Sequence, residues 1–132
     1  MTKNEKHISF RIVENKAPHL CVAYRCGNKR TAKDRFCSKH SHRYQRDTNP
    51  IGYVFHALRQ NARRRGKEFS ITIEEFRTFC EETDYLNKRG KTGKSASIDR
   101  IDNSKGYSLY NIRVISLSEN SYKRNHEDYA PF

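Results

Sequence analysis

Three cysteines and a histidine with the spacing C-x4-C-x10-C-x2-H constrain the fold of this chain more than any other feature. Cys21, Cys26, Cys37 and His40 form two close pairs separated by a short loop, which is the spacing of a tetrahedral zinc site. The intervening segment CGNKRTAKDRFC is polar and basic, so a metal rather than an apolar core would have to hold it. Four protein ligands close such a site, which predicts a structural role for Zn²⁺.

The sequence leaves other assignments of these residues open. His42 or His19 could replace His40 as the fourth ligand. Two disulfides are arithmetically possible, but the N-terminal segment MTKNEKHISF has no apolar stretch typical of a secretory signal. We therefore expect an intracellular, cytoplasmic protein with reduced thiols. The fourth cysteine, Cys80, lies on the apolar face of a predicted helix, where it is expected to be a small buried hydrophobe.

The composition explains why a metal would be needed. Of the 132 residues, 34% are hydrophobic and 32% are charged, so a large apolar core is not expected. No run approaches the roughly 18 apolar residues of a membrane span. Lys and Arg total 27 against 15 Asp and Glu, and the resulting net charge of +12 favours a nucleic acid as partner. The 8 Tyr and 7 Phe argue against full disorder.

Changes in pattern divide the chain into four segments. Residues 1–47 form a basic zinc-binding module, and residues 48–94 form a helical segment expected to contact nucleic acid. Residues 95–125 read as strand, loop, strand and helix, a ββα unit, and residues 126–132 are a tail without a strong signal. The predicted fold is therefore small and α+β, with an N-terminal zinc finger, two helices and a C-terminal ββα motif.

Capping signals place the two central helices. The Asn49–Pro50 pair is a good N-cap and first helical residue, and Gly66 marks the end of that helix. Thr72 and Glu75 have the spacing of a capping box, so the second helix should start there and run to about Glu82.

Local signals also outline the ββα unit. The first strand lies around Ile98, Gly106 marks the turn region, and residues 112–115 are β-branched and alternating enough for the second strand. The spacing of Ser116 and Glu119 repeats that of a capping box. The third helix should therefore begin directly after Ser116.

The motifs SIDRIDN, GY, NIR and EN within Ser97–Asn125 resemble the HNH (His-Me finger) endonuclease family. The resemblance is closest to phage-type members and to the H-N-N variant of homing endonucleases. The upstream basic helix, its RRGKEF end and the N-terminal cysteine finger are also similar to segments of such proteins. The resemblance implies a metal-dependent phosphodiesterase built on a ββα unit.

The resemblance also implies roles for individual residues. Asp99 and Asn120 would hold one Mg²⁺ or Mn²⁺ ion, and Asn111 would brace the intervening loop. Arg100 occupies the position at which the family has its general base, a histidine. Because arginine stays protonated and is a poor base, Arg100 would instead contact the phosphate in the active site.

Two functional hypotheses follow, and the residue at position 100 divides them. The first is a metal-dependent DNA endonuclease or nickase of the HNH-like class. Its water would be activated by another base, for which His126 and His56 are candidates without a spacing argument, or as metal-bound hydroxide alone. The second is a catalytically reduced HNH-fold protein that acts as a DNA-binding or regulatory protein. Double-stranded DNA ranks ahead of RNA as the partner, although basic zinc knuckles also bind RNA.

Basic residues expected to contact phosphates are spread along the chain. They are Arg43, Arg46, Arg59, Arg63, Arg64, Arg65, Lys67, Lys123 and Arg124. Tyr24, Tyr44, Tyr53 and Tyr107 interleave with basic residues and could stack on exposed bases. Binding by such a surface should depend little on sequence and strongly on salt.

Overall fold

The computed structural model describes residues 7–125, so the predicted tail and His126 lie outside the described residues. Within this range the chain forms five α-helices and one two-stranded antiparallel sheet, which agrees with a small mixed α/β fold. Two compact units are present, Met1–Val54 and Phe55–Phe132, and each is described by itself. In residues 7–125 no helix combines the length and the apolar character needed to cross a membrane.

The first unit contains a helix that the sequence patterns did not predict. This helix, α1 (Ser38–Thr48), begins directly after Cys37, which is its N-cap residue. It has no buried residue and therefore no apolar stripe that could have revealed it. Asn49 ends α1 by donating its backbone N–H to the carbonyl of Gln45 at 2.9 Å. The Asn49 side chain also accepts a hydrogen bond from the N–H of Gly52 at 3.2 Å, as an N-cap should.

The next two helices lie where the capping signals placed them. Helix α2 (Pro50–Arg64) ends two residues before Gly66, whose φ of 66° is left-handed. Helix α3 (Ile73–Thr83) starts with a complete capping box. The backbone N–H of Glu75 donates to Thr72 Oγ1 at 3.1 Å, and the N–H of Thr72 donates to Glu75 Oε1 at 3.0 Å. The start of α3 is thus fixed by local interactions.

The ββα unit forms the C-terminal part of the second unit. A short helix, α4 (Tyr85–Lys88), precedes strand β1 (Ala96–Arg100) and contacts it. Strand β2 (Ile112–Ser116) pairs antiparallel with β1. Helix α5 (Leu117–Asn125) follows β2 without a linker and packs against both strands. The start of α5 is the predicted one.

Aromatic side chains form the core of the second unit. The ring centroids of Phe55 and Phe69 are 5.4 Å apart, and those of Phe55 and Phe76 are 5.6 Å apart. Phe79 continues this contact beyond Phe76, and Tyr107 continues it beyond Phe69. Phe76 has no exposed surface. These contacts join α2 and α3 to the loop between the two strands, with each aromatic pair worth about 0.5–1.5 kcal/mol beyond its buried area.

Gly106 allows that loop to lie against another segment of backbone. The N–H of Tyr107 donates to the carbonyl of Glu68 at 2.7 Å, and the N–H of Ser70 donates to the carbonyl of Tyr107 at 2.9 Å. A Cβ atom at position 106 would overlap the Glu68 carbonyl oxygen. The absence of a side chain at Gly106 is therefore required for the backbone pairing that positions the ββα loop.

Candidate functional site

The four predicted zinc ligands come together in the first unit. Cys37 Sγ lies 3.3 Å from His40 Nδ1 and 3.9 Å from Cys26 Sγ, and Cys21 Sγ lies 3.6 Å from His40 Nδ1. All four ligand atoms fall within 4.8 Å of one another. A tetrahedral zinc ion bound at ordinary distances separates sulfur and nitrogen ligands by about 3.5–3.8 Å. The cluster is therefore compatible with a structural zinc site.

The structure also resolves the alternatives for this cluster. Among the residues described, His40 belongs to it, whereas His19 and His42 do not. All four cysteines of the chain are free thiols, so neither of the possible disulfides is present. Cys80 lies elsewhere, buried on α3 as predicted.

Two backbone features bring the ligands together. A turn closed by the N–H of Cys26 on the carbonyl of Ala23, at 3.0 Å, brings Cys26 towards Cys21. The other pair lies at the start of α1, where one helical turn separates Cys37 from His40. The helix that sequence patterns missed is therefore the element that presents half of the ligands.

The electrostatic surroundings of the thiols differ. Burial raises the pKa of Cys21. Burial also opposes ionisation of Cys37, but hydrogen bonds from the backbone and ring of His40, together with one from Asn28, outweigh it and lower the pKa of Cys37 to about 6. The thiolate is the form that binds Zn²⁺, so Cys37 is prepared for ligation at neutral pH.

Aromatic packing supports the histidine ligand. Phe36 is fully buried, and its ring packs edge-on against Phe10 at 5.5 Å and in a tilted arrangement against Tyr44 at 5.0 Å. The ring of Phe10 in turn lies 4.8 Å from the ring of His40. These contacts restrict the orientation of the imidazole, which is the role that surrounding residues play at metal sites.

In the second unit, the two residues predicted to bind Mg²⁺ or Mn²⁺ line one cleft of about 500 Å³. These are Asp99 on β1 and Asn120 on α5. The Asp99 carboxylate is engaged by side chains of the protein itself. Lys123 Nζ lies 2.9 Å and 3.0 Å from its two oxygens, and Arg113 Nε lies 3.0 Å from one of them. Lys123 also donates to the backbone carbonyl of Arg100.

The Lys123 ammonium is therefore coordinated by protein oxygens. It has three N–H donors, and the structure offers three acceptors, two from Asp99 and one from Arg100. The side chains of Lys123 and Asp99 are both 6% exposed. Lys123 was predicted to contact phosphates as part of the basic surface, but the structure buries its side chain, and the Asp99 carboxylate holds its charge inside the protein. As this site stands, the carboxylate oxygens do not fit a divalent metal, since a lysine already occupies them.

Asn120 and Arg100 make contacts of their own beside this ion pair. The amide nitrogen of Asn120 donates to Ser97 Oγ at 2.7 Å, which ties α5 to the start of β1. The guanidinium of Arg100 donates to the carbonyls of Asn103 and Lys105, at 2.9 Å and 2.7 Å. It also lies over the ring of Tyr107, 5.4 Å from the centroid. Arg100 thus supports the loop that follows β1.

Asn111 holds the same loop from inside. Its side-chain oxygen accepts from the N–H of Asp102 at 2.9 Å, and its amide nitrogen donates to the carbonyls of Asp102 and Gly106 at 3.1 Å and 2.8 Å. Asn111 is 8% exposed. These three hydrogen bonds are the kind of contact that a bracing residue makes.

The remaining predicted basic residues divide by exposure. Those that are exposed are Arg46, Arg59, Arg63, Arg64, Arg65 and Arg124. Arg43 and Lys67 are half-buried, and Arg46 lies 3.5 Å from Asp47. Arg65 and Arg124 line the cleft together with Arg100. His56, one of the two substitutes for a catalytic base, is exposed on α2 and does not line the cleft.

Two important residues were not singled out as partners from the sequence. Arg113 lies directly opposite Asp99 in the strand register, and Ser97 fixes Asn120. Strand register depends on tertiary packing, so only an Asp–Arg pairing between two predicted strands could have suggested the first contact. A better signal existed for Lys123, which follows Asn120 by three residues and therefore lies on the same face of α5.

No protein-family model, curated protein or solved structure matches this chain.

Proposed function

We propose that this protein binds double-stranded DNA, and that its ββα unit is an HNH-like scaffold in which Lys123 replaces the divalent cation. The observation that carries this proposal is the contact of the Lys123 ammonium with both oxygens of Asp99. Metal-assisted cleavage of a phosphodiester requires carboxylate oxygens that are free to bind the ion. Here an internal cation takes that place, and Arg100 stands where the enzymes that the ββα unit resembles have a base.

The charge balance of the cleft supports an anionic ligand. Lys123 and Arg113 already pair with Asp99, the one carboxylate that lines the cleft within the described chain. Arg65, Arg100 and Arg124 also line the cleft, and their positive charges are not balanced by a second carboxylate among the described lining residues. Because cations outnumber carboxylates there, the cleft suits a phosphate group, which is the group that proteins contact most often on nucleic acids.

The cysteine cluster fits this proposal as a structural zinc site. Cys21, Cys26, Cys37 and His40 would hold Zn²⁺ in a closed, four-ligand shell, which leaves no position for a reacting water. The first unit has only a small buried cluster around Phe36. A bound zinc ion would stabilise this unit, as it does in other small domains with few apolar residues.

A salt titration of DNA binding tests the proposal. Fluorescence anisotropy with a labelled duplex should give a plot of log K against log salt whose slope is about −2.7 or steeper, since at least three phosphates would be engaged. Arg124→Gln should make the slope shallower by about 0.9. Arg77→Gln removes the same charge from an exposed position on α3 outside the cleft and should change binding much less.

Two outcomes would contradict this assignment. Equal losses in Arg124→Gln and Arg77→Gln would mean that the cleft is not the contact surface. Tighter binding to a single-stranded RNA of equal length would make RNA the partner instead of duplex DNA.

An HNH-like DNA endonuclease is the second candidate, and one observation favours it. Asp99 and Asn120 line the same cleft, and Asn111 braces the loop between the strands, as the resemblance implies. Incubation of supercoiled plasmid with Mg²⁺ or Mn²⁺ separates the two candidates. Nicking by the natural chain that is lost in Asp99→Asn supports the endonuclease. Tight binding without nicking in both metals supports the binding protein, and nicking gained by Arg100→His would show that the missing base limits the chemistry.

A further inference from the structure

We infer that Arg11, Tyr24 and Arg25 form a preorganised contact for a DNA backbone phosphate on the zinc-binding module. We call these three residues the Arg–Tyr–Arg cluster. The inference rests on the proposed function, because it assumes that the protein binds DNA. It adds a contact surface in the first unit that is independent of the cleft in the ββα unit.

The geometry of the cluster is the first observation. The guanidinium carbon of Arg11 lies 5.0 Å from the centroid of the Tyr24 ring, and that of Arg25 lies 5.1 Å from it. All three residues are exposed, and Tyr24 retains 47% of its surface. No carboxylate within residues 7–125 pairs with either guanidinium. Two unneutralised cations are therefore held beside one exposed ring.

The ring restricts two long side chains that would otherwise be mobile. An arginine that packs on an aromatic face keeps the N–H donors of its guanidinium plane available. The two side chains are therefore already ordered in the free protein, and DNA binding costs less side-chain conformational entropy. The backbone supports the same arrangement, since the N–H of Tyr24 donates to the carbonyl of Arg11 at 2.8 Å.

The backbone conformation of Arg25 is the second, independent observation. Arg25 is the third residue of the turn that the N–H of Cys26 closes on the carbonyl of Ala23, and its φ is 60°. Glycine adopts this left-handed conformation without strain, whereas residues with a Cβ disfavour it. An arginine in this position is costly for the turn, and such residues are found where the side chain serves a function. Because Tyr24 holds the Arg25 side chain in place, we infer that the function of Arg25 depends on its guanidinium group.

The chemistry of the cluster identifies its ligand. A guanidinium group recognises phosphate through several N–H donors at once. The contact would carry no sequence information, since it involves the DNA backbone and not the base edges. The zinc-binding module would therefore add affinity and orientation to the complex without selecting a target sequence.

The variant Arg25→Gly tests the inference because it should change two properties in opposite directions. Removing the strained side chain should raise the urea midpoint of the full-length, zinc-supplemented protein. Removing the cation should weaken binding to a labelled DNA duplex about tenfold and make the salt slope shallower by about 0.9. Lys33→Ala is the matched control, since Lys33 is exposed in the same unit and its loss changes the net charge equally. It should weaken binding about twofold at most.

Tyr24→Leu provides a second test that leaves both charges in place. We expect it to weaken DNA binding while the salt slope stays unchanged, because the same number of cations remains and only their preorganisation is lost.

The possible outcomes separate this inference from the proposed function. If the natural chain binds duplex DNA and Arg25→Gly binds it equally well, the cluster is not a contact and only this inference fails. A lower urea midpoint for Arg25→Gly would also overturn it, because Arg25 would then stabilise the turn. Competition by polyglutamate as effective as that by DNA would exclude a phosphate-specific contact. If the natural chain does not bind duplex DNA at all, the proposed function fails and this inference fails with it.

Discussion

Lys123 and Asp99 form a buried ion pair in which the lysine nitrogen lies 2.9 Å and 3.0 Å from the two carboxylate oxygens. Both partners are almost completely removed from solvent. A charge buried in this way depends on the opposite charges and hydrogen-bond partners around it, and truncation of one member of such a pair typically costs about 3–5 kcal/mol. Helix α5 and strand β1 are therefore joined by an interaction that tolerates loss of both charges better than loss of one.

The first prediction concerns the energetics of this pair. Lys123→Met should lower the free energy of unfolding by about 3–5 kcal/mol, because the Asp99 carboxylate loses its main counter-charge. The double variant Asp99→Asn/Lys123→Met should lose less than the sum of the two single variants. Urea denaturation followed by circular dichroism measures all three.

A lysine in an exposed ion pair serves as the control for that series. Lys105 Nζ lies 4.0 Å from Asp102, and its side chain is 74% exposed. Lys105→Met should change the free energy of unfolding by less than about 0.5 kcal/mol. Equal effects at positions 105 and 123 would mean that the buried pair contributes no more than a surface pair.

The second prediction is that removal of the lysine creates a divalent-cation site. In Lys123→Ala the Asp99 carboxylate and the Arg100 carbonyl lose their shared cation, and Mn²⁺ prefers such oxygen ligands. Mn²⁺ at about one hundred times its dissociation constant should stabilise this variant by about 2.7 kcal/mol. Thermal unfolding with and without Mn²⁺ measures the effect. The natural chain and Asp99→Asn/Lys123→Ala should not respond, and a response of the natural chain would show that Mn²⁺ displaces Lys123.

The third prediction concerns the cysteine cluster. Cys26→Ser should reduce bound zinc from about one ion per chain to less than about 0.5, since a hydroxyl is a poor replacement for a thiolate ligand. Cys80→Ser is the control, because burial raises the pKa of the Cys80 thiol to about 11 and keeps it protonated at neutral pH. Metal analysis of the purified proteins gives the stoichiometry. Equal zinc contents in the two variants would exclude the cluster as the site.

The fourth prediction is a pH dependence that arises from Asp47. Partial burial tends to raise the pKa of this carboxyl, but hydrogen bonds from the Ser9 hydroxyl and N–H outweigh it and lower the pKa below its ordinary value. A group with a lowered pKa in the folded state stabilises the protein fully above its unfolded pKa. That stabilisation is lost as the pH falls through the folded pKa.

Comparison with Asp47→Asn isolates this effect from acid-induced loss of zinc. The natural chain should be more stable than the variant by about 1–2 kcal/mol at pH 6, because its carboxylate accepts charge-assisted hydrogen bonds. The difference should shrink as the pH falls below about 4. Glu14→Gln, which removes a 72% exposed carboxylate beside Arg35, should show a smaller difference. Urea denaturation at several pH values measures both variants, and a difference that is constant with pH would contradict the assignment.

The parts of the fold that depend on local chemistry were predictable from the sequence. The capping box of Thr72 and Glu75 and the N-cap at Asn49 form as expected, because both involve residues three positions apart. The four members of the cysteine–histidine cluster were identified by their spacing. Helix α1 was not predicted, since its sequence has no apolar stripe, and its position depends on Cys37, His40 and packing beneath it.

The contacts of Lys123 show why the rest of the site could not be predicted. Its positive charge suggested a surface residue, and its place on the same face of α5 as Asn120 does not identify a partner 24 residues earlier in the chain. The pairing requires the register of β1 and β2 and the angle at which α5 returns across them. Both are set by packing over long separations in sequence.

The three hydrogen bonds of Asn111 have a consequence for how this protein can vary. They connect Asn111 to both Asp102 and Gly106, so they constrain the number of residues in this loop as well as its conformation. Insertion or deletion of a single residue there would break at least one of these bonds and shift Gly106 away from the Glu68 carbonyl. Related chains should therefore keep this loop at constant length. An affinity tag or fluorophore would be better inserted in the exposed segment around Lys91 than in this loop.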